Sequence, residues 1–522
     1  MARRHERVSA PLLGGVASLL VLGLVVCGSL VALLTAAPGL DAAGLVRDPY
    51  LRQVIRFTLW QAFLSTLLSV GLAVPVARAL ARRRRFPGRG LLLRLLGLPL
   101  VMPTIVAVLG IVAVFGRSGL LAQAAGVLGL GWPSIYGLSG ILVAHTFFNL
   151  PLATRLLLPA WDAVPGETWR LAAQLGMGSG AIFRLIEWPL LRQTLPGVAV
   201  LVFLLCTTSF AVVLTLGGGP AASTMEVAIY QALRFDFDLG RAVALALVQL
   251  LLGIAWLLMA QRLARALQAA PTAQRPQERP DAAAALGRLV DAAVIGGACI
   301  VVLLPLGAVL EAGLTGPLGA VLGAPGLWAA VGRTVVVAVG AGSLSLLLGV
   351  GLVAAGRELR LRRRRPRAAG LVELAGSIVL AVSPFVLGTG LFVLLMPLGG
   401  ALSYGLLLVV VVNAIMGLPY VVRILAPVAA RTAEQHDRLC ASLGISGWNR
   451  LRLVEWPVAR RSVGLALALT AALATGDLGA IALFGTQDTM TLPLLLYDRM
   501  ASYQIGPAAV TALVLLGLCL AI

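Results

Sequence analysis

Ionisable and amide side chains are scarce in this 522-residue chain, and a few stand inside long apolar runs where each demands a reason. Asp477 is the clearest, an acid within Gly476-Asp-Leu-Gly-Ala-Ile-Ala-Leu-Phe-Gly485. A carboxylate there either lines a route for a solute or serves the fold, by pairing with an arginine or capping a helix broken near Gly476 and Gly479. His145, Asn149 and Asn413, with Gln61 and Gln249, pose the same choice in milder form: hydrogen bonds between helices, or a route. For covalent chemistry there is no apparatus. Of three histidines only His145 and His436 lie away from the N-terminus, so no His/Asp/Glu cluster marks a membrane enzyme or a metal site, and no catalytic residue is assigned. ATP hydrolysis is excluded as well. A GxxxxGK[ST] loop needs its lysine, and every basic residue here except histidine is arginine.

The elements that must position these groups are membrane-crossing helices. The chain is 59% hydrophobic and 12% charged with a mean hydropathy of +0.97, too little polar surface for a domain in water. Its apolar runs are continuous and rich in Leu, Ala and Val, which excludes a barrel of alternating strands. We expect spans at 11–36, 55–80, 91–116, 137–160, 197–216 and 241–263, then at 289–314, 327–355, 370–396, 402–426, 463–484 and 507–522. The first is too long for a signal peptide and reads as a retained anchor. The last is short, as if the sequence were truncated within its final helix. Five cysteines without a CxxC pattern read as small core residues.

Arginine placement sets orientation. Arg3, Arg4 and Arg7, the Arg82–Arg85 run, the 162–196 loop, the 262–288 linker, the Arg360–Arg367 cluster and the 427–462 loop alternate onto one side. Acids collect opposite, in 217–240 and 485–506. The N-terminus is therefore expected in the cytoplasm. Topology also accounts for the formal net charge of +20 better than nucleic-acid binding does, and specific binding of anionic lipid by the arginine runs stays open.

A proline-punctuated linker, Gln268 to Pro280, falls near the middle and divides a repeat. Leu150-Pro151, Arg155 and Pro159 return as Leu418-Pro419, Arg423 and Pro427. At the same offset Leu175-Gly176 returns as Leu443-Gly444, and Glu187-Trp188-Pro189 as Glu455-Trp456-Pro457. We expect an all-α polytopic membrane protein of about 12 transmembrane helices: a six-span half at 1–265, a cytoplasmic linker at 266–288 and a six-span half at 289–522. Six spans is an even number, so the halves insert in parallel about a pseudo-two-fold axis with the pathway between them. The odd-numbered inverted repeats of ion-coupled secondary transporters fit less well, and such a transporter remains the less favoured class.

The loops between the fourth and fifth spans of each half, 162–190 and 427–457, repeat in detail. Each is expected to hold a short helix, a glycine turn and a second amphipathic helix stopped by a proline, a pair of docking elements for two copies of a partner. Here the chain resembles the membrane components of type I ABC importers. Their cytoplasmic signature of Glu-Ala-Ala, then Gly, then an aliphatic residue and Leu-Pro is met by Ala172, Gly176, Ile186 and Pro189, and by Gly444, Val454 and Pro457. Arg170 and Arg438 stand where the signature has glutamate, with Glu167 and Glu434 nearby, and Trp188 and Trp456 replace its leucine.

The resemblance implies a permease subunit of the bacterial inner membrane whose loops are coupling helices seated on an ATPase. ATP and magnesium would bind that partner, a homodimeric ATP-binding subunit, with no cofactor on this chain. A periplasmic or extracellular substrate-binding protein would meet 217–240 and 485–506, where Glu226, Tyr230, Phe235, Asp236, Tyr497 and Tyr503 either contact it or seal an outer gate. Leu216-Gly-Gly-Gly-Pro220, the Glu-Trp-Pro pair and the segment around Asp477 are similar to fused double permeases for thiamine and its phosphate esters. Ferric iron permeases of the same family are the alternative. Thiamine carries a thiazolium charge whose desolvation Asp477 would offset.

Overall fold

The computed structural model describes residues 10–36, 47–264, 279–282, 285–379, 382–398 and 401–522. Arg3, Arg4, Arg7 and most of the linker lie outside them. The described chain is helical, in two series that repeat each other. The first comprises α1 (Ala10–Leu22), α2 (Gly28–Ala36), α3 (Pro49–Arg82), α4 (Arg89–Leu95), α5 (Thr104–Phe115), α6 (Leu120–Val127), α7 (Leu138–Asp162), α8 (Gly166–Gln174), α9 (Ser179–Ile182), α10 (Trp188–Thr207), α11 (Ala211–Leu216), α12 (Met225–Arg234) and α13 (Leu239–Ala264). The second comprises α14 (Ala285–Thr315), α15 (Leu318–Leu322), α16 (Pro325–Arg357), α17 (Pro366–Ile378), α18 (Pro384–Leu395), α19 (Gly405–Ser442), α20 (Gly447–Arg450), α21 (Trp456–Thr475), α22 (Gly479–Phe484), α23 (Leu492–Ala501) and α24 (Ile505–Ala521). Ten stretches among the described residues are long and apolar enough to cross a membrane.

Helix starts follow local chemistry. Asp48 caps α3 by accepting the Tyr50 amide at 2.9 Å, and Pro49 opens it where no amide donor is needed. Ser383 and Pro384 do the same for α18, with the Val386 amide 3.2 Å from the Ser383 hydroxyl. The structure departs from expectation at several spans. The runs at 91–116 and 370–396 are each broken, leaving α5 to start just after Pro103 and α18 to start at Pro384. Spans five and eleven begin earlier than hydropathy suggests, because α10 and α21 grow directly out of the preceding loops. Both then break, at 208–210 and 476–478, before α11 and α22.

The first helices cross over. α1 packs on α16 and α2 on α18 in the second half, while α14 packs on α3 and α5 in the first. In a bilayer, lipid is as apolar as leucine, so helices associate where small residues let backbones approach. Here Gly14, Gly15 and Ser18 of α1 meet Gly351 and Ala355 of α16. A Cβ at Gly351 would fall 2.3 Å from the Ser18 hydroxyl and 2.7 Å from the Gly14 carbonyl. A leucine at Gly351 is expected to lower the melting temperature of the purified protein, by an overpacking cost of about 1–3 kcal/mol. The same change at Gly464, which has open space around it, is expected to leave the melting temperature within error.

Candidate functional site

In each half the loop between the fourth and fifth spans turns at a left-handed glycine, Gly176 with φ +61° and Gly444 with φ +66°. The helix before it closes with a six-to-one hydrogen bond: the Met177 amide donates to the Ala172 carbonyl and the Ile445 amide to the Cys440 carbonyl, both at 2.9 Å. The preceding helices differ. Val164-Pro165-Gly166 interrupts the first half, so α8 is a separate short helix, whereas Thr432-Ala433-Glu434 lets α19 run without a break to Ser442. The expected short helix is therefore found only in the first half.

After the turn, the expectation that Pro189 and Pro457 stop a helix is overturned. They occupy the second position of α10 and α21, and the helix continues into the membrane. The turn just before each proline is a π turn, Phe183–Glu187 and Leu451–Glu455, where the Trp188 and Trp456 amides reach back five residues to Phe183 and Leu451. Widening the helix there makes room for a ring that would otherwise strike the carbonyl four residues back.

The glutamate of each π turn is the centre of a charge cluster. Glu187 has no exposed side-chain surface. It accepts from Arg78 Nε at 2.6 Å, Arg279 Nη2 at 2.6 Å and Trp161 Nε1 at 2.9 Å. Glu455 is paired with Arg357 at 2.6 Å and Arg450 at 2.8 Å, and both arginines also bind Asp437. Arg78 stands one turn before the end of α3 and Arg357 ends α16, so each lies near the C-terminus of the second long helix of its half. Sequence reading passed over them. Burial disfavours the charge of Asp281, but Arg279, bonded to it, and Arg82 and Arg78 close by outweigh burial and hold its carboxyl below the usual carboxylate range.

The remaining loop residues are dispersed. Trp169, Ala172 and Ile182 form a small buried cluster, with Ile186 against it. Glu167, Arg170, Arg438, Trp188, Trp456 and Pro457 are exposed, and Val454 is half-buried. Glu434 lines a cavity of about 270 Å³ together with Arg357, Arg360 and Glu373. Each loop also exposes two leucines one turn apart, Leu171 and Leu175 in the first half and Leu439 and Leu443 in the second. Their repetition was visible in the sequence.

Of the pathway candidates, the structure joins Asp477 and Asn413. Asn413 Nδ2 donates to Asp477 at 3.1 Å, and the carboxylate also caps α22 by accepting the Gly479 and Ala480 amides at 3.1 and 3.0 Å. The cap reading of Asp477 is thus realised. This break lies at the seam between halves, with Pro103 against Gly476 and Phe385 against Gly479. His145 and Asn149 lie elsewhere, inside the first half. His145 Nδ1 is 2.8 Å from the Ser65 hydroxyl, and Asn149 donates to Cys206.

Segments 217–240 and 485–506 also meet at the seam. Phe210 packs at a tilt against Phe385 with ring centroids 4.4 Å apart and edge-on against Tyr230 at 5.3 Å, and Arg234 donates to the Gly485 carbonyl at 3.0 Å. Matched threonines hold the helix starts: Thr58 accepts the Met225 amide at 3.0 Å and Thr334 the Leu492 amide at 2.9 Å. Glu226 is fully buried and receives Gln249 at 3.0 Å, while Tyr497 is half-buried. Phe235, Asp236 and Tyr503 are exposed, and Phe237 and Tyr503 hold a positive φ.

A twice-built helical bundle with paired, matched loops on one side defines a transport permease. The chain belongs to the family of binding-protein-dependent transport system inner membrane components, matched at residues 69–269 and again at 347–522. It is a multi-pass permease subunit of an ABC importer. Among its relatives is the thiamine transport system permease protein ThiP of Brucella abortus (strain 2308), 47% identical over 527 residues that cover 100% of this chain and 96% of the relative. The protein of the same name from Escherichia coli (strain K12) is 44% identical over 518 residues, covering 99% and 96%. That from Haemophilus influenzae is 37% identical over 475 residues, covering 90% and 87%.

The two glutamates should differ in energetic weight. Glu187→Ala removes the buried carboxylate shared by Arg78 and Arg279 and is expected to cost about 3 kcal/mol. Glu455→Ala removes a carboxylate that is 26% exposed and is expected to cost about 1 kcal/mol. Melting curves of the two purified variants check the order.

Proposed function

We propose that this chain is the membrane-spanning translocation subunit of an ATP-driven importer for thiamine and its phosphate esters. The substrate assignment rests on the names of its full-length relatives. The coupling assignment rests on one observation: twin loops that each expose a leucine pair beside a left-handed glycine. Apolar pairs on helix ends fit grooves of a partner, and two matched loops fit two copies of it. That partner is a homodimeric ATPase in the cytoplasm, where ATP and magnesium bind. The division is a first half at 1–265, a linker at 266–288 and a second half at 289–522, with the N-terminus in the cytoplasm.

In this reading the coupling residues act by position. Ala172, Ile182 and Ile186 pack the first loop, Gly176 and Gly444 set its turn, and Arg170 and Arg438 stand on the exposed face with Glu167 and Glu434. Glu187 and Glu455 anchor the loops, and Trp188-Pro189 and Trp456-Pro457 start the helices that carry motion inward. On the far side, exposed Phe235, Phe237 and Tyr503 receive the binding protein. Phe210, Tyr230 and Phe385 close the outer seam until the ATPase subunits engage. Once it opens, Asp477 offers a carboxylate to a cationic solute, held in place by Asn413.

A valine at Gly176 or Gly444 must hold a conformation that costs a branched side chain about 1–3 kcal/mol. Each variant is expected to reach the membrane in normal amount and to lose ATP-driven uptake. Unchanged uptake in both would remove the coupling assignment. For the substrate, a thiamine-loaded binding protein should stimulate ATP hydrolysis by the reconstituted complex, and stimulation by a ferric-loaded one instead would overturn it.

A further inference from the structure

The two coupling loops solve one electrostatic problem with the same four charges drawn from different places. In the second half the cluster is Glu455, Arg357, Arg450 and Asp437. Three of these belong to the loop and the end of α19 that leads into it; only Arg357 comes from another span. In the first half the repeat supplies Glu187 and Arg78, the counterparts of Glu455 and Arg357. The positions matching Asp437 and Arg450 are Trp169 and Ile182, both apolar and buried. The loop of the first half therefore lacks its own second Arg–Asp pair.

The missing pair is present nonetheless, and it comes from the linker. Arg279 binds Glu187 at 2.6 Å and Asp281 at 3.0 Å, as Arg450 binds Glu455 and Asp437. Its guanidinium lies 4.4 Å from the Trp169 ring centroid, so the aromatic ring that displaced the second half's aspartate becomes a platform for the imported arginine. Asp281 also lies 3.5 Å from the Ser179 hydroxyl at the start of α9. Arg83 anchors the segment from behind by donating to the Ala282 carbonyl at 2.6 Å, and binds Asp291 of α14 at 2.9 Å. With the segment in place, Glu187 is sealed from solvent, whereas Glu455 keeps 26% of its side chain exposed.

We propose that the linker segment Arg279–Ala282 is a positioning element that completes the first coupling loop, supplying in trans along the chain the Arg–Asp pair that the second loop carries itself. The inference rests on the coupling reading of these loops. Fusion of the halves then has a mechanical role beyond tethering. A displacement of the first loop is transmitted to α3 through Arg78, as in the second half to α16 through Arg357, and in addition to the linker and to α14. The two loops are thereby matched in charge but unequal in stiffness.

The test uses the full chain in its complex with the ATPase and the binding protein, reconstituted in liposomes. In Arg279→Ala/Asp281→Ala, uptake per ATP hydrolysed is expected to fall about fivefold or more, the scale of a typical coupling between sites. The ATPase should still co-purify in normal amount. Adding Trp169→Asp and Ile182→Arg, which rebuild the second half's own pair in the first loop, is expected to restore coupling. If the double variant does not accumulate, Arg279→Gln, which keeps a polar N–H donor but removes the charge, carries the same expectation. Full coupling without the linker pair would overturn the proposal, and so would a loss that the transplanted pair fails to repair. Gly176→Val separates the two levels. If it abolishes uptake while the linker variant does not, the positioning role alone falls; if both are silent, the coupling reading falls and takes the proposal with it.

Discussion

In each half an arginine–glutamate pair, Arg78 with Glu187 and Arg357 with Glu455, joins the loop between the fourth and fifth spans to the helical bundle. The arginine stands near the end of a helix that has just crossed the apolar core, and the glutamate sits in the π turn from which the next crossing helix starts. Neither charge is free to go elsewhere. Arginine keeps its charge, and a buried carboxylate without a partner carries a desolvation cost of roughly several kcal/mol. The pair therefore moves as a unit. A loop held this way cannot shift without shifting either the second span, by its C-terminal end, or the fifth, by its first turn.

The bundle that receives such a displacement is interlocked. Because α1 and α2 lie on the second half and α14 lies on the first, neither half can rotate as an isolated block. Contact is made by close backbone approach, as where Gly110 faces the Pro305 carbonyl and Gly390 faces Ser29. Such packing resists separation but permits sliding, since it is shape and not a directional bond that holds it. The broken helices at 208–210 and 476–478 then mark the places where a rigid span is divided, both at the seam where Phe210 and Phe385 touch.

Much of this was legible in the residues. The helical membrane class followed from continuous apolar runs, and the duplication from fixed offsets such as Glu187 to Glu455. Gly176 and Gly444 were readable because only a backbone turn explains an isolated glycine at matched positions beside a helix. Less was readable where charges meet across long sequence separations. Arg78 and Arg357 looked like topology signals at span ends, and their partners lie in another element. Arg279 looked like part of a flexible linker, since prolines and polar residues surround it, and its role shows only when Trp169 and Ile182 are set beside Asp437 and Arg450. Pro189 and Pro457 were misread for a different reason. Proline does end an α-helix, but a π turn immediately before it removes the clash that makes it do so.

The duplication also makes its own exceptions informative. At the repeat spacing Asp477 corresponds to Ser209, Asn413 to His145, and Glu226 to Pro493 in the helix matched through Tyr230 and Tyr497. The loop anchors Glu187 and Glu455 survive the duplication while these three polar positions do not, so the constraint of a common fold has been kept and that of common chemistry at these positions has lapsed. Two identical halves would present a two-fold symmetric lining to whatever passes between them. These halves instead place a carboxylate and an amide at the break of one and a neutral hydroxyl at the break of the other. On the pathway proposed for Asp477, a lining of that kind would distinguish one end of a solute from the other, which a strictly symmetric pore could not do.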